Sequence, residues 1–480
     1  MRRIVCIALS AAVLSAHVAA QDAAAVIDAA SKAMGTSTLQ SIQYSGTGSV
    51  NPTGQAELPG GPWPRFTVTK YTALINYTVP AMRQELVRID DMNPPRGGGA
   101  GGYNPATGQG GIRPIPGDII QNTNVDGRTE VGAVNLWLTP HGFLKGAAAN
   151  AATAKVSTSR GKKIVSFTAF NKYTVTGTLN AQNLVERVET KLDVSFTGDT
   201  LFEGIYSDYK DYGGVKFPSR ALMRQGGFPI LDVSVASVTP NSPAAMDVGR
   251  GAPPAPAAPA PVRIQAEQIG KGLWFLNSGA PQSILAEFKD YAVIVEGPSS
   301  DERTLATLAE AWRLLPGKPV KYLVNTHHHA DHSGGIRGYV AEGIPIITHE
   351  SHKRYYEQVV FKAPHTLNPD HLARSPRAPV IETVGDKRVI TDGTMTLELH
   401  LMKGHPHAQG LLMVYVPTEK MLIQADAFAP RPGAKPLPAP SPYTINLVDN
   451  VRRLKLDVQK VAHVHGGVDP YETVVKAAGY

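Results

Sequence analysis

Six consecutive residues, His327-His328-His329-Ala330-Asp331-His332, gather four imidazoles and a carboxylate directly behind the apolar run Val320 to Asn325. In extended backbone, residues i and i+2 point the same way, so His327 and His329 can grip one cation together. Where the chain bends toward Gly334, Asp331 and His332 can turn to a second cation beside the first, and His328, on the other side, is structural. Imidazole and carboxylate suit Zn2+, and equally Fe or Mn. Of the 15 histidines, 13 lie after residue 262. The single cysteine, Cys6, sits near the N-terminus, so a metal site in the mature chain must use nitrogen and oxygen ligands, and the site has no thiol nucleophile.

Such a cluster needs rigid elements to hold it. Val320 to Asn325 reads as a strand running into the motif, and Gly334 to Glu342 as a helix leaving it. Before it, Leu273–Leu276, Ser283–Phe288 and Tyr291–Glu296 read as short strands, and Glu302 to Leu315 as a helix with Asp301 as N-cap and Pro316-Gly317 as its stop. After it, strands are expected at Ile344–Thr348, Met395–Met402, Leu411–Val416 and Lys420–Gln424, and helices at Asn446–Gln459 and Pro470–Ala478. Strands that first pair locally and then alternate with helices fit two sheets sandwiched between helices.

The rest of the chain has another rhythm. Ala23 to Met34 reads as a short helix. Arg65–Tyr71, Ile164–Phe170, Tyr173–Leu179, Leu184–Val194, Phe202–Tyr209 and Leu231–Val238 are rich in β-branched and aromatic residues and predict a β-rich, curved antiparallel sheet. Gly251 to Pro261 holds five prolines among eleven residues, an extended spacer that cannot pack as helix. The Gly-rich stretch from Gly97 to Gly117 lacks the Gly-Lys-Ser/Thr ending of a phosphate loop and reads as a loop. A two-domain chain follows: a segment 1–20 to be removed, a β-rich domain 22–240, a Pro/Ala-rich linker 241–261 and the histidine-bearing domain 262–480. The first segment has Arg2 and Arg3, the apolar run Ile4 to Leu14 and Val18-Ala19-Ala20 before Gln21, the pattern of a secretory signal peptide. It predicts a periplasmic or secreted protein with no integral membrane segment after cleavage.

Net charge is +7, or +5 without Arg2 and Arg3, with no dense Lys/Arg run. This reads as a mildly basic surface rather than a nucleic-acid footprint, and a small molecule is the expected partner.

The order His327-x-His329-x-Asp331-His332, followed by Ser333-Gly334-Gly335, resembles the hallmark of the metallo-β-lactamase superfamily, and the resemblance extends over most of 262–480. It implies an αββα four-layer sandwich and a hydrolase with two divalent metal ions. Gly404-His405-Pro406-His407-Ala408-Gln409-Gly410 resembles the family's Gly-His-x-x-Gly turn. That implies His407 as third ligand of the first metal, with His405 as the alternative or as a support behind the ligands. Leu422 to Asp426 resembles the strand that ends in the bridging aspartate, and Val461-Ala462-His463-Val464-His465-Gly466 the segment that supplies the last ligand. That ligand is taken as His465, with His463 on the opposite face. His349 also follows a strand and reads as a buried, hydrogen-bonded histidine near the pocket. The resemblance therefore implies His327, His329 and His407 on one metal and Asp331, His332 and His465 on the other, with Asp426 between. Two cations so placed make hydroxide available near neutral pH, and Asp331 would orient it and carry its proton.

Several residues depart from particular subfamilies. Asp426 stands where dedicated β-lactamases carry Cys or Ser. Only fifteen residues follow His465, too few for the glutathione-binding helices of glyoxalase II enzymes. Ala429 stands where some acyl-homoserine lactonases carry Tyr, and Glu296 where many relatives carry Asp. What is left is an exported hydrolase of a small ester, lactone, thioester or related compound. Two other readings stay open: a mononuclear iron dioxygenase of the same fold, and a ligand-binding protein in which the N-terminal sheet is primary and the metal domain secondary. Tyr206 to Pro218 resembles the strand–turn–strand of lipoprotein-carrier-like (LolA-type) periplasmic domains.

Overall fold

A computed structural model describes residues 23–89, 91–92, 94–98, 119–253, 260–429 and 440–480. The expected signal segment 1–20 with Cys6, residues 99–117 of the Gly-rich stretch and residues 254–259 of the Pro/Ala stretch lie outside the described residues.

Residues 23–34 are helical, as their composition suggests. The chain then builds an eleven-stranded sheet. Its spatial order is Ile119–Asp126, Ala81–Ile89, Phe66–Asn76, Ser41–Val50, Phe228–Pro240, Val215–Gln225, Gly198–Tyr212, Val185–Val194, Tyr173–Leu179, Lys162–Ala169 and Lys155–Ser159. Every neighbouring pair is antiparallel. The first and last strands, Ser41–Val50 and Phe228–Pro240, pair near the middle, so the sheet closes only when the whole segment has been laid down. A sequence read as almost purely β also yields two helices here, Glu130–Trp137 and Pro140–Ala149. Each begins at a threonine whose Oγ1 accepts from the backbone N–H three residues on, Thr129 from Gly132 at 3.1 Å and Thr139 from Gly142 at 3.2 Å, the ordinary N-cap arrangement. They pack through Val134, Leu138, Phe143 and Leu144 onto the same face as Phe167 and Val188.

The C-terminal segment forms a seven-stranded sheet from Gln265–Gly270 to Ile381–Val384 and a six-stranded sheet from Lys387–Thr391 to Val468–Pro470. Phe275, Val293, Val324, Leu397, Val414 and Ile423 fill the space between the sheets. Alternation along the strands then decides the outer layers. Leu323, next to Val324, faces Leu308 and Ala311 of the helix Asp301–Leu314 and Ile336 of the helix Ile336–Ala341. Met413, next to Val414, faces Leu447 and Val451 of the helix Pro442–Leu454 and Val474 of the helix Tyr471–Ala477. This is the four-layer αββα sandwich expected.

Boundaries moved where a cap decided them. Ser300, not Asp301, is the N-cap of the first of these helices, its hydroxyl accepting from Arg303 N–H at 3.4 Å, and Asp301 falls in the first turn, where its charge suits the helix dipole. The helix expected at Asn446–Gln459 starts four residues earlier, with Pro442 in its first turn, and stops at Lys455 with φ 52°, because proline is preorganised for a helix start.

The two segments meet at the loops that carry the histidines. Ala330 N–H donates to Gly54 O at 3.2 Å, Gln409 N–H to Glu57 O at 2.8 Å, and Gly97 N–H to Pro406 O at 2.9 Å. Farther off, Asp199 accepts from Thr366 N–H and Leu367 N–H, each at 3.1 Å, and from the Thr366 hydroxyl at 2.5 Å. Partial burial works to raise the Asp199 pKa, and these donors outweigh it and leave it below the usual carboxylate value. A depressed carboxyl contributes stability that is present above about pH 4 and is lost as pH falls below that. Asp199→Ala should therefore lower the thermal midpoint at pH 7, by an amount corresponding to about 1 kcal/mol for a partly exposed charged acceptor. The gap between variant and parent should close below pH 4 in a calorimetric pH series.

Candidate metal centre

The strand Val320–Val324 ends in the middle of its sheet, between Ala292–Val295 and Ile346–His349. Its continuation 325–329 is extended and buried. Polar backbone there needs partners, and it finds them. Asn325 N–H donates to Ile347 O at 2.9 Å, Leu412 N–H to Thr326 O at 3.0 Å, and the Tyr356 hydroxyl to His327 O at 3.2 Å. Asn325 Nδ2 reaches across the turn to His332 O at 3.0 Å. Residues 330–333 then form one helical turn, which swings Asp331 and His332 away from the line of His327 and His329.

Three groups of donor atoms result among the described residues; Glu296 with His327 and His332 is one, and the other two are the clusters that flank Asp426. His327, His329 and His407 bring one ligand atom each within 4.8 Å of one another, and so do Asp331, His332 and His465. His327 Nε2 lies 3.2 Å from His407 Nε2, and His332 Nε2 lies 3.0 Å from His465 Nε2. The edge of a tetrahedron built on Zn–N bonds is about 3.3 Å, so these separations suit imidazoles sharing a cation. Asp426 lies between the clusters. Its Oδ2 is 3.5 Å from His327 Nε2, 3.7 Å from His407 Nε2 and 2.6 Å from His332 Nε2, and its Oδ1 is 3.3 Å from His465 Nε2. Asp426 follows the strand Met421–Gln424 with φ 60°, a conformation that aspartate tolerates better than most side chains.

The tautomers are set from behind. Thr326 donates its hydroxyl to Glu296, so its oxygen accepts from His327 Nδ1–H at 3.0 Å, leaving the Nε2 lone pair forward. His329 Nε2–H donates to Ala56 O at 2.8 Å, and His329 Nδ1 is buried without a hydrogen-bond partner among the described residues. An unpaired buried nitrogen costs free energy unless something binds it, and here it faces the cluster. Glu296, fully buried with φ 75°, also lies 3.3 Å from His332 Nδ1 through its second oxygen. One carboxylate thus backs a histidine of each cluster.

Electrostatics point the same way. Burial, with the neighbouring histidines adding to it, holds His327 and His407 well below the usual imidazole pKa, in the neutral form that offers a lone pair. Burial would also depress His332, but Asp426, Asp331 and Glu296 around it overcome that and raise it well above. Three carboxylates at one buried place call for positive charge, which the protonated His332 or bound cations can supply. Nitrogen and carboxylate donors of this kind fit a divalent transition metal.

The other histidines fall outside both clusters. His405 Nδ1 accepts from His407 N–H at 3.2 Å, and its ring lies 5.5 Å from that of Tyr443, so it braces the turn that aims His407. His463 contacts Gln424 Nε2 at 2.7 Å and Asp469 at 3.3 Å, on the face away from His465. His349 caps the helix Glu350–Tyr355, its Nδ1 accepting from Ser351 N–H at 3.2 Å. His328 Nε2–H donates to Ala56 O at 2.9 Å, a structural role as expected.

Sequence reasoning missed the contribution of the N-terminal segment. Gln55 Nε2 donates to Asp331 Oδ1 at 2.7 Å. The Ala56 carbonyl holds two histidines, and Gly98 lies so close that a Cβ there would meet His407 Cε1 at 2.8 Å and His329 Cε1 at 2.9 Å. Nothing local in Asn51 to Glu57 marks these residues. Glu296 was visible only as a departure from Asp. An acid at the end of a wholly apolar strand, Ala292–Val295, is the signal that could have found it.

Residues 278–465 match the family model described as the metallo-beta-lactamase superfamily. No curated protein matches the chain. Among solved structures, the chain is similar to the DIM-1 metallo-beta-lactamase, at 18% identity over 45% of this chain and 96% of that one, with a TM-score of 0.35. It is similar to a metallo-beta-lactamase from Pontibacter korlensis, at 18% identity over 45% and 98%, with a TM-score of 0.35. It is also similar to the stereoselective inverting sec-alkylsulfatase Pisa1 from Pseudomonas sp., at 16% identity over 45% and 40%, with a TM-score of 0.33.

Two measurements test the geometry. His407→Ala should lower the metal content of purified protein more than His405→Ala, and the reverse order would reassign the ligand. Glu296→Gln, which keeps the shape and one acceptor but loses the charge beside His332, should weaken metal affinity about 10- to 100-fold in a competition titration with a chelating dye.

Proposed function

We propose that this chain, whose residues 278–465 are a metallo-β-lactamase superfamily domain, is an exported metal-dependent hydrolase of esters, lactones, thioesters or related carbonyl compounds. The reading rests on one observation: two clusters of nitrogen and oxygen donors share the carboxylate of Asp426. His327, His329 and His407 would hold one divalent ion, and Asp331, His332 and His465 a second, with Asp426 common to both. Ions bound there would supply Lewis acidity and lower the pKa of a water toward neutrality.

The chain's own residues do the rest. Gln55 fixes Asp331 through Oδ1, which leaves Oδ2 to orient the attacking water and hold its proton. Asp331 is kept ionised because His332 and His465 outweigh the effect of its burial. The peptide around Gly97 and Gly98 covers one side of the site, and Tyr443 holds Gly97 O through its hydroxyl at 3.0 Å, so water is excluded from that side. Arg2, Arg3 and the apolar run from Ile4 to Leu14 support export.

The test is elemental analysis with a panel of ester, lactone, thioester, β-lactam and phosphodiester substrates. Purified protein should carry close to two transition-metal ions. Chelation should abolish turnover, and His329→Ala should lower kcat/KM at least about 100-fold. Full activity without metal would sink the reading, and one iron per chain with oxygen uptake and no hydrolysis would replace it with the dioxygenase.

A further inference from the structure

One face of the N-terminal sheet is turned toward the metal centre, and the space between is a single cavity of about 780 Å³. Its inner end is lined by Asp331, His407, Asp426 and His465, and its length by side chains from seven strands of the sheet. Along four of these strands lining residues recur at i and i+2, as in Met82, Gln84 and Leu86 or Ala221 and Met223, which is the spacing of one sheet face. The loop Leu138–Pro140 between the two helices closes one side.

The walls are apolar in what they offer. Met82, Leu86, Phe217, Met223 and Leu231 carry no hydrogen-bonding group that an occupant must meet. Two of the tyrosines in the wall are already engaged: Tyr71 accepts from Gln84 Nε2 at 2.7 Å, and Tyr206 donates to Leu138 O. Arg88 lies over the Phe66 ring at 5.1 Å. A cavity of this size matches one that buries most of a drug-sized ligand. Methionines at 82 and 223 let the walls adapt to a flexible chain. Polar groups converge at the metal end, and Gln84, Arg88, Gln121, Thr123 and Asn135 add further polar groups along the wall.

From this geometry we infer that the N-terminal sheet is the acyl-binding wall of the metal site, and that the substrate is an elongated apolar chain attached to the scissile carbonyl. The inference rests on the hydrolase reading for the reaction and on the cavity alone for the chain. In that reaction water oxygen bonds to the carbonyl carbon, the carbon–oxygen bond to the leaving alcohol breaks, and the alcohol oxygen takes a proton. The products are the long-chain acid and the alcohol, and no oxidant or further reactant is needed. The N-terminal segment then serves twice, with Gln55 touching Asp331 and the sheet face holding the tail.

The experiment uses the full-length, metal-loaded protein and p-nitrophenyl esters from acetate to dodecanoate, each below its micellar concentration. kcat/KM should rise about three- to fourfold per added methylene until the cavity is filled. Ala221→Phe, which places a ring inside the cavity, should flatten that rise. Met223→Trp is the second variant, should the first fail to fold. A flat chain-length profile with metal-dependent turnover of the acetate overturns the inference and leaves the hydrolase reading standing. If no ester is turned over, the hydrolase reading fails, and the cavity is then tested by dansyl-undecanoic acid. A fluorescence gain that Ala221→Phe removes supports acyl binding, and no gain overturns it.

Discussion

Buried imidazoles and carboxylates converging on one point govern most of what surrounds them. Asp426, largely buried, cannot sit among His327, His332, His407 and His465 without a compensating positive charge, because an unpaired buried carboxylate is costly. The site must therefore be charge-balanced, by a protonated His332 or by cations. It must also be held rigidly enough that lone pairs rather than N–H groups face inward. Thr326, Ala56 and Glu296 meet the second requirement from behind, each by engaging the ring nitrogen that points away from the centre or flanks it. Positive φ at Glu296 and Asp426 follows from the same demand. Both residues end strands of the inner sheets, and each must turn sharply to aim its carboxylate at a common place, at about 1–3 kcal/mol per residue.

Much of the C-terminal fold was legible in the sequence because its information is local. Short apolar strands bounded by Pro-Gly turns, a helix between Ser300 and Leu315, and a histidine motif hung on Val320–Val324 can each be read within a window of ten residues. Cap details shifted boundaries by a few residues without changing an element. The N-terminal half was less legible. Its helices Glu130–Trp137 and Pro140–Ala149 have mixed composition, and only the threonine caps give them away. Its sheet order brings Ser41–Val50 against Phe228–Pro240, a pairing across almost two hundred residues that no local pattern announces.

The site divides along the same line. His327, His329, Asp331 and His332 lie on one turn of chain, so spacing alone predicted two directions of approach. His407 rather than His405 brings its ligand atom within 4.8 Å of those of His327 and His329, and His405 Nδ1 accepts from the His407 backbone within the turn at Gly404–Gly410. Gln55 and the Ala56 carbonyl arrive from more than 270 residues earlier, and Gly98 packs against the same histidines. Backbone carbonyls and close-packed glycines have no side-chain chemistry to betray them, so their part became visible only with the chain folded.

That arrival changes what the N-terminal domain is for. If the sheet were an independent module joined by a Pro/Ala-rich spacer, its contacts with the metal loops would be interchangeable surface pairs. Instead, Gly54, Glu57 and Gly97 pair backbone to backbone with Ala330, Gln409 and Pro406, and the Ala56 carbonyl accepts from the His328 and His329 rings, on the same loops that carry the histidines. Backbone pairing of this kind fixes position to within a fraction of an ångström and is insensitive to side-chain substitution at the surface. The orientation of the His329 imidazole therefore depends on a carbonyl from the other domain. The cavity that ends at Asp331 depends in turn on the sheet being held at that distance, so the spacer joins two parts of one site.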